Sequence, residues 1–119
     1  MQIFELEPTE IKLNKDKNLL TVTFEDGESF PLSSEYLRVM SPSAEVQGHA
    51  PEQRKTVPGK KNVKITGIEE VGHYAICLTF DDGHDTGVYS WKHLYDIGKN
   101  EKFYWDRYIS ELEEQGLSR

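Results

Sequence analysis

The densest set of chemically capable side chains is Asp81-Asp82-Gly83-His84-Asp85. Carboxylates and an imidazole within five positions offer oxygen and nitrogen donors to a divalent metal. The spacing is not that of an EF-hand, whose ligands spread over a loop of about twelve residues. The same residues also suit a hairpin turn in which Gly83 supplies positive φ, and spacing by itself favours the turn. The histidines are His49, His73, His84 and His93. None stands four residues from another, so no H-E-x-x-H zinc motif exists. His93 is expected on a solvated helix side with Lys92 and Asp96, His73 follows Gly72 in a loop, and His49 and His84 can meet only through the fold. Ser41, Ser43 and Ser90 lack the G-x-S-x-G frame of a nucleophile elbow. Cys77 alternates within an apolar strand and reads as a buried structural thiol. No glycine-rich phosphate loop occurs. Phe103, Tyr104, Trp105 and Tyr108 crowd one short stretch. They dock a helix on the sheet or, alternatively, anchor a partner, because aromatics surround more of that helix than one face can bury.

Composition narrows the class of protein that can use these groups. The chain has 119 residues, enough for one domain. Fourteen basic against twenty-one acidic residues leave a net charge of −7. Phosphate neutralisation needs the opposite balance, so nucleic acid and anionic membrane surfaces are excluded as partners. No apolar run approaches the ~20 residues of a membrane span. The opening Met1-Gln2-Ile3-Phe4-Glu5 lacks the regions of a signal peptide, so a cytoplasmic location is expected. A single cysteine excludes an internal disulfide and any cysteine-rich zinc site.

The elements that must position these groups follow from periodicity, with no repeat or low-complexity tract evident. Ile11 and Leu13 alternate with polar neighbours, the segment 14–18 turns, and Leu20, Val22 and Phe24 share one strand face. Asp26-Gly27 predicts a two-residue type I′ turn. The strand 29–32 returns as an edge, because Pro31 cannot donate to a ladder. Ser33-Ser34-Glu35 starts a short helix carrying Tyr36, Leu37 and Met40, which Pro42 stops. Residues 41–62 read as a long exposed loop. Strands follow at 63–68, 74–80 and 86–89. Ser90 caps a helix with Trp91, Leu94 and Tyr95 on one side, and Gly98 is its expected stop. Asn100 is placed to cap a last helix, where Trp105, Tyr108, Ile109 and Leu112 fall at i, i+3, i+4 and i+7. The fold class is α+β: a mainly antiparallel β-sheet with two or three short helices on one face or end, and a C-terminal helix appended.

Two segments carry a resemblance. One runs Leu37-Arg38-Val39-Met40-Ser41-Pro42-Ser43-Ala44-Glu45. The other runs Val71-Gly72-His73-Tyr74-Ala75-Ile76, then Phe80-Asp81-Asp82-Gly83-His84-Asp85-Thr86-Gly87-Val88-Tyr89-Ser90-Trp91, with Leu94-Tyr95 behind. Together they resemble the gamma-butyrobetaine hydroxylase-like N-terminal domain family, long catalogued as a domain of unknown function. The resemblance covers about residues 7–98, which divides the chain into that domain (1–98) and a helical extension (99–119).

The resemblance implies a domain that, in carnitine-synthesis hydroxylases, precedes a separate iron- and 2-oxoglutarate-dependent oxygenase domain. There it implies a structural zinc held by three cysteines and the histidine of the Asp-Gly-His turn. In this chain the histidine position is His84, and the cysteine positions fall on Ser41, Ser43 and Val46. Hydroxyls ionise too weakly to replace thiolates and valine has no donor, so the zinc site is expected to be lost. The chain is too short for an oxygenase barrel, so no enzyme is expected. Similar domains fused to cluster-carrying P-loop proteins imply, by domain company alone, a role near iron–sulfur chemistry. An iron, manganese or other hard-metal site would use His84 with Asp82, Asp85, Glu45 or His49 as co-ligands. The expected function is a non-catalytic binding or adaptor domain for a protein partner. Its surface joins Arg38, Ser41 and Ser43 to His84 and Trp91, segments the resemblance sets side by side. The alternative is a metal-binding accessory in iron–sulfur or oxygenase-related metabolism.

Overall fold

The computed structural model describes residues 5–48 and 51–119. Leu20, Val22 and Phe24 alternate inward, as an amphipathic strand must, and all three are buried. They lie on β2 (Leu19–Phe24), the centre of an antiparallel sheet with β1 (Pro8–Leu13) and β3 (Ser29–Ser33) on its edges. Pro31 therefore sits on an edge strand, as its missing N–H requires. The helix α1 (Ser34–Val39) follows at once, and the Ser33 hydroxyl accepts the Tyr36 N–H at 3.0 Å. A second antiparallel sheet has β5 (Ala75–Phe80) between β4 (Ile65–Val71) and β6 (Gly87–Ser90). It runs into α3 (Trp91–Lys99), capped by Ser90, whose hydroxyl accepts the His93 N–H at 3.0 Å. Between the units lie the short α2 (Ala44–Gln47) and one 3-10 turn, and α4 (Glu101–Glu114) closes the chain. The antiparallel strands and short helices make the α+β class, built as two three-stranded sheets rather than one.

The backbone carries a recurrence that the sequence does not display as a repeat. The chain uses one β-β-β-α unit twice, with the same strand order and the same turn. In the first turn Phe24 N–H bonds the Glu28 carbonyl at 2.8 Å and Gly27 N–H bonds the Phe24 carbonyl at 3.0 Å. The Glu28 N–H donates to Asp26 Oδ1 at 3.0 Å. In the second, Phe80 N–H meets the His84 carbonyl at 2.9 Å and Gly83 N–H the Phe80 carbonyl at 3.1 Å. The His84 N–H donates to Asp82 Oδ1 at 3.0 Å. These are three-residue loops with glycine at φ +86° and +91°. The expected type I′ turn at Asp26-Gly27 is thus corrected, since it needs positive φ at both residues and Asp26 does not have it.

The two units share one core, and each reaches into the other. Leu20, Phe24 and Leu32 of the first pack with Ile76, Leu78, Phe80 and Tyr89 of the second, with α1 and α3 contributing Leu37, Leu94 and Ile97. Tyr108 and Leu112 bring α4 into the same core. Of the C-terminal aromatics, Tyr104 and Trp105 are half-buried against it, while Phe103 is 64% exposed.

Further expectations are corrected. Gly98 does not stop α3, which runs to Lys99; it leaves room for Phe30, whose ring a Cβ at residue 98 would overlap. Asn100 does not cap α4 with its side chain, which turns back to Asp96 Oδ1 at 2.9 Å. Residues 41–62 are not a uniformly exposed loop: Ser41, Ser43 and Val46 are buried. The stretch beyond is strapped to α4, with Tyr108 Oη on the Val57 carbonyl at 2.6 Å and Arg54 on Glu111. His93 is half-buried, not solvated, with Nε2 2.8 Å from the Met40 carbonyl. Among the described residues no helix is long and apolar enough to cross a membrane.

Candidate functional site

Pro42 ends the reach of α1 and leaves Ser41 facing the second unit's turn. Ser41 Oγ lies 2.8 Å from His84 Nε2, and both residues are buried. The other ring nitrogen, Nδ1, is 2.8 Å from Glu45 Oε2. An ionised carboxylate only accepts hydrogen bonds, so Nδ1 carries the proton, and with burial favouring the neutral ring, Nε2 accepts from the Ser41 hydroxyl. Ser41 Oγ in turn accepts the Ser43 N–H at 3.2 Å. Ser43 caps α2 through the Glu45 N–H at 3.2 Å, and its hydroxyl lies 2.7 Å from Thr86 Oγ1. Thr86 donates to the same Glu45 oxygen at 3.0 Å. Gln47 Nε2 closes the segment on the Ser41 carbonyl at 2.8 Å. Gly87 makes the approach possible, because a Cβ there would stand 2.8 Å from Ser41 Oγ.

Beside this network Asp82 is held by two cations. Arg38 Nε lies 2.8 Å and Lys60 Nζ 2.6 Å from Asp82 Oδ2. Burial raises the Asp82 pKa, but the Lys60 bond, the His84 N–H and Arg38 outweigh it and hold the carboxyl at about 2. Burial pushes the His84 pKa down and Arg38 adds to this, while Glu45 and Asp82 oppose it without reversing the direction. Burial likewise lowers His93.

Ser41, His84 and Glu45 stand in the order of a hydrolase relay. Ser41 is 0% exposed, however, and its oxygen already serves Ser43 and His84, so no substrate carbonyl can reach it. Both His84 nitrogens are engaged, and the Asp82 carboxylate is committed to Arg38 and Lys60. Asp85 is exposed, and its carbonyl accepts from Cys77 Sγ at 3.3 Å. Among the described residues no three of His, Cys, Asp and Glu converge as a metal site. His49, named above as a co-ligand, lies outside the described residues. Val46 is buried with only hydrocarbon to offer, so the four positions carried over from the family do not fit tetrahedral zinc.

Of the predicted binding surface, the fold brings Arg38, Ser41, Ser43 and His84 into one network. Trp91 lies apart from it: its indole N–H donates to the His73 carbonyl at 2.8 Å, and its ring lines a cleft with Glu70 and Gly72. The sequence reading missed Lys60, Thr86 and Gln47. Thr86 falls within the segment that carries the resemblance, whereas Lys60 and Gln47 sit in irregular chain and carry no local signal.

A family model described as gamma-butyrobetaine hydroxylase-like, N-terminal, matches residues 11–95. Two structures solved by NMR in solution superpose with TM-scores of 0.83 and 0.81. They are 45% and 43% identical, over 100% and 95% of this chain and 90% and 89% of their own. A crystal structure of a protein of unknown function from Acidithiobacillus ferrooxidans, placed in the DUF971 family, has a TM-score of 0.64. It is 34% identical over 77% of this chain and 92% of its own. No curated protein matches. The chain belongs to the gamma-butyrobetaine hydroxylase-like N-terminal domain family.

Proposed function

We propose that this chain is a non-catalytic binding domain that recognises a protein partner in the cytoplasm. The observation that carries this is the closed state of its most reactive-looking cluster: Ser41 is 0% and His84 5% exposed, each with its polar atoms paired. Such a network fixes the segments 41–47 and 82–86 against each other and leaves their outer sides as a shaped surface. Of the expected surface, Trp91 is half-buried and stands apart from the network, and the Arg38 side chain, 11% exposed on its Asp82 pairing, keeps the remaining access for a partner. Recovery from native cells with the tagged chain tests this, using Arg38→Ala and Trp91→Ala beside the wild type. A partner held by the wild type and weakened in a variant of unchanged melting temperature supports it. No partner with the wild type, or a turnover lost in Ser41→Ala, contradicts it.

A second reading, a metal-binding accessory, draws on the 2.8 Å pairing of His84 Nδ1 with a Glu45 carboxylate whose side chain is 62% exposed. Iron analysis after anaerobic isolation separates the two. One equivalent of iron, lost in both His84→Ala and Glu45→Gln, favours this second reading.

A further inference from the structure

The two sheets are neighbours without being one sheet. Both β1 and β4 are edge strands with no ladder partner on their outer side among the described residues. One main-chain bond ties them at one end, from Ile65 N–H at the start of β4 to the Lys17 carbonyl in the β1–β2 turn, at 2.9 Å. Away from that bond they part, and a cleft of about 410 Å³ opens between Glu7–Ile11 on one side and Glu70, Gly72 and His73 on the other, with Trp91 in its wall. Unpaired strand edges are templates for an added strand, because their N–H and C=O groups already stand at ladder spacing.

The lining specifies the occupant. Glu7, Glu10 and Glu70 all face this cleft, and none has an ion-pair or hydrogen-bond partner for its carboxylate among the described residues. Several carboxylates elsewhere are matched, Asp82 by Arg38 and Lys60, Glu35 by Arg119, Glu111 by Arg54 and Glu28 by Lys99, while Asp85, Glu113 and Glu114 stand on the surface without a cation among the described residues. Ile11, Pro8 and Trp91 supply apolar wall between the charges. A strand laid here presents alternate side chains to opposite sides, so basic and apolar residues in alternation meet both.

We propose that the cleft between the free edges of β1 and β4 is the docking groove for an extended, basic segment of a partner polypeptide, which joins the two sheets by strand addition. This rests on the binding-domain reading above and names the site and the chemistry of its partner.

The test uses the full chain and a short synthetic peptide alternating lysine with valine. The peptide should bind with about tenfold or greater loss of affinity in Glu10→Lys/Glu70→Lys. The backbone amides of residues 9–11 and 68–70 should gain protection from hydrogen exchange on binding. Glu113→Lys/Glu114→Lys makes the same change of net charge at the far end of α4 and should bind as the wild type does. Equal loss in that control, no added protection, or equal binding of a glutamate–valine peptide overturns the proposal. A native partner that Glu10→Lys/Glu70→Lys still recovers in full removes the groove and leaves the binding domain standing; no partner for the wild type removes both.

Discussion

The Arg38 guanidinium of the first unit's helix holds Asp82 of the second unit's turn, with Nε 2.8 Å from Oδ2. The opposite exchange is present as well: the Tyr95 hydroxyl, on the second unit's helix, donates to Asp26 Oδ2 of the first unit's turn at 2.6 Å. Arg38 follows Leu37 and Tyr95 follows Leu94, two leucines buried at matching places in the core. Each unit is therefore pinned by the other's helix. The site described above has grown on one side of this exchange, where the residue after the Asp-Gly pair is His84 rather than Glu28.

Loss of Asp82 should cost more than loss of Asp26. Asp82→Asn leaves Arg38, with a side chain only 11% exposed, and Lys60 without their shared carboxylate. A cost of about 1–3 kcal/mol is expected for the stranded charges. Asp26→Asn keeps an acceptor for Tyr95 and should fall below that. Urea denaturation of both variants checks the order.

His84→Ala should destabilise by about 1–3 kcal/mol, because the buried Ser41 hydroxyl loses its acceptor. Ser41→Ala with His84→Ala should cost less than the sum of the single changes, since the second substitution removes a group already stranded. A double-mutant cycle on unfolding free energies measures this coupling, and additivity would show the pair to be independent.

Stability should fall on mild acidification. The folded chain holds His84 and His93 below the usual value of 6.5, in each case through burial. Below about pH 6.5 the unfolded chain takes up protons that the folded chain resists, so stability rises with pH across that window. The contribution is complete above about pH 6.5 and is lost as pH falls through the folded values. Urea midpoints taken between about pH 7.5 and about pH 5 should decline, with a shallower slope in His84→Ala and in His93→Ala. A second loss belongs to Asp82, whose contribution goes as pH falls from 3.8 towards about 2.

Gly98→Ala should destabilise although alanine is the better helix former by about 1 kcal/mol. The new methyl would overlap the Phe30 ring, which packs edge-on to Tyr95 at 5.4 Å. Overpacking of about 1–3 kcal/mol reverses the sign. A lowered thermal midpoint, relieved in Gly98→Ala/Phe30→Leu, identifies the clash as the cause.

What the sequence displayed was local. The alternation through Leu20, Val22 and Phe24 and the serines ahead of α1 and α3 are short-range patterns, and the chain obeys them. The duplicated unit escaped because only fragments such as Thr23-Phe24 and Thr79-Phe80, each followed by an Asp-Gly turn, are held in common. Its helices also differ, six residues in α1 against nine in α3. The four residues of α2 are barely one turn, too few to show a helical period. Periodicity could not have paired Ser41 with His84, which lie 43 positions apart. That Trp91 stands apart from the Ser41–His84 network was not legible for the converse reason: closeness in sequence to a shared motif says nothing of which sheet edge a side chain lines.

The central claim is that His84 is a neutral, fully hydrogen-bonded strut. Nitrogen NMR of its ring in the protein as freshly isolated tests this most directly. The account predicts a neutral imidazole protonated at Nδ1, with Nε2 shifted as an acceptor and no change on adding a chelator. A metal-coordinated nitrogen that reverts when chelator is added, or an imidazolium at neutral pH, would contradict it.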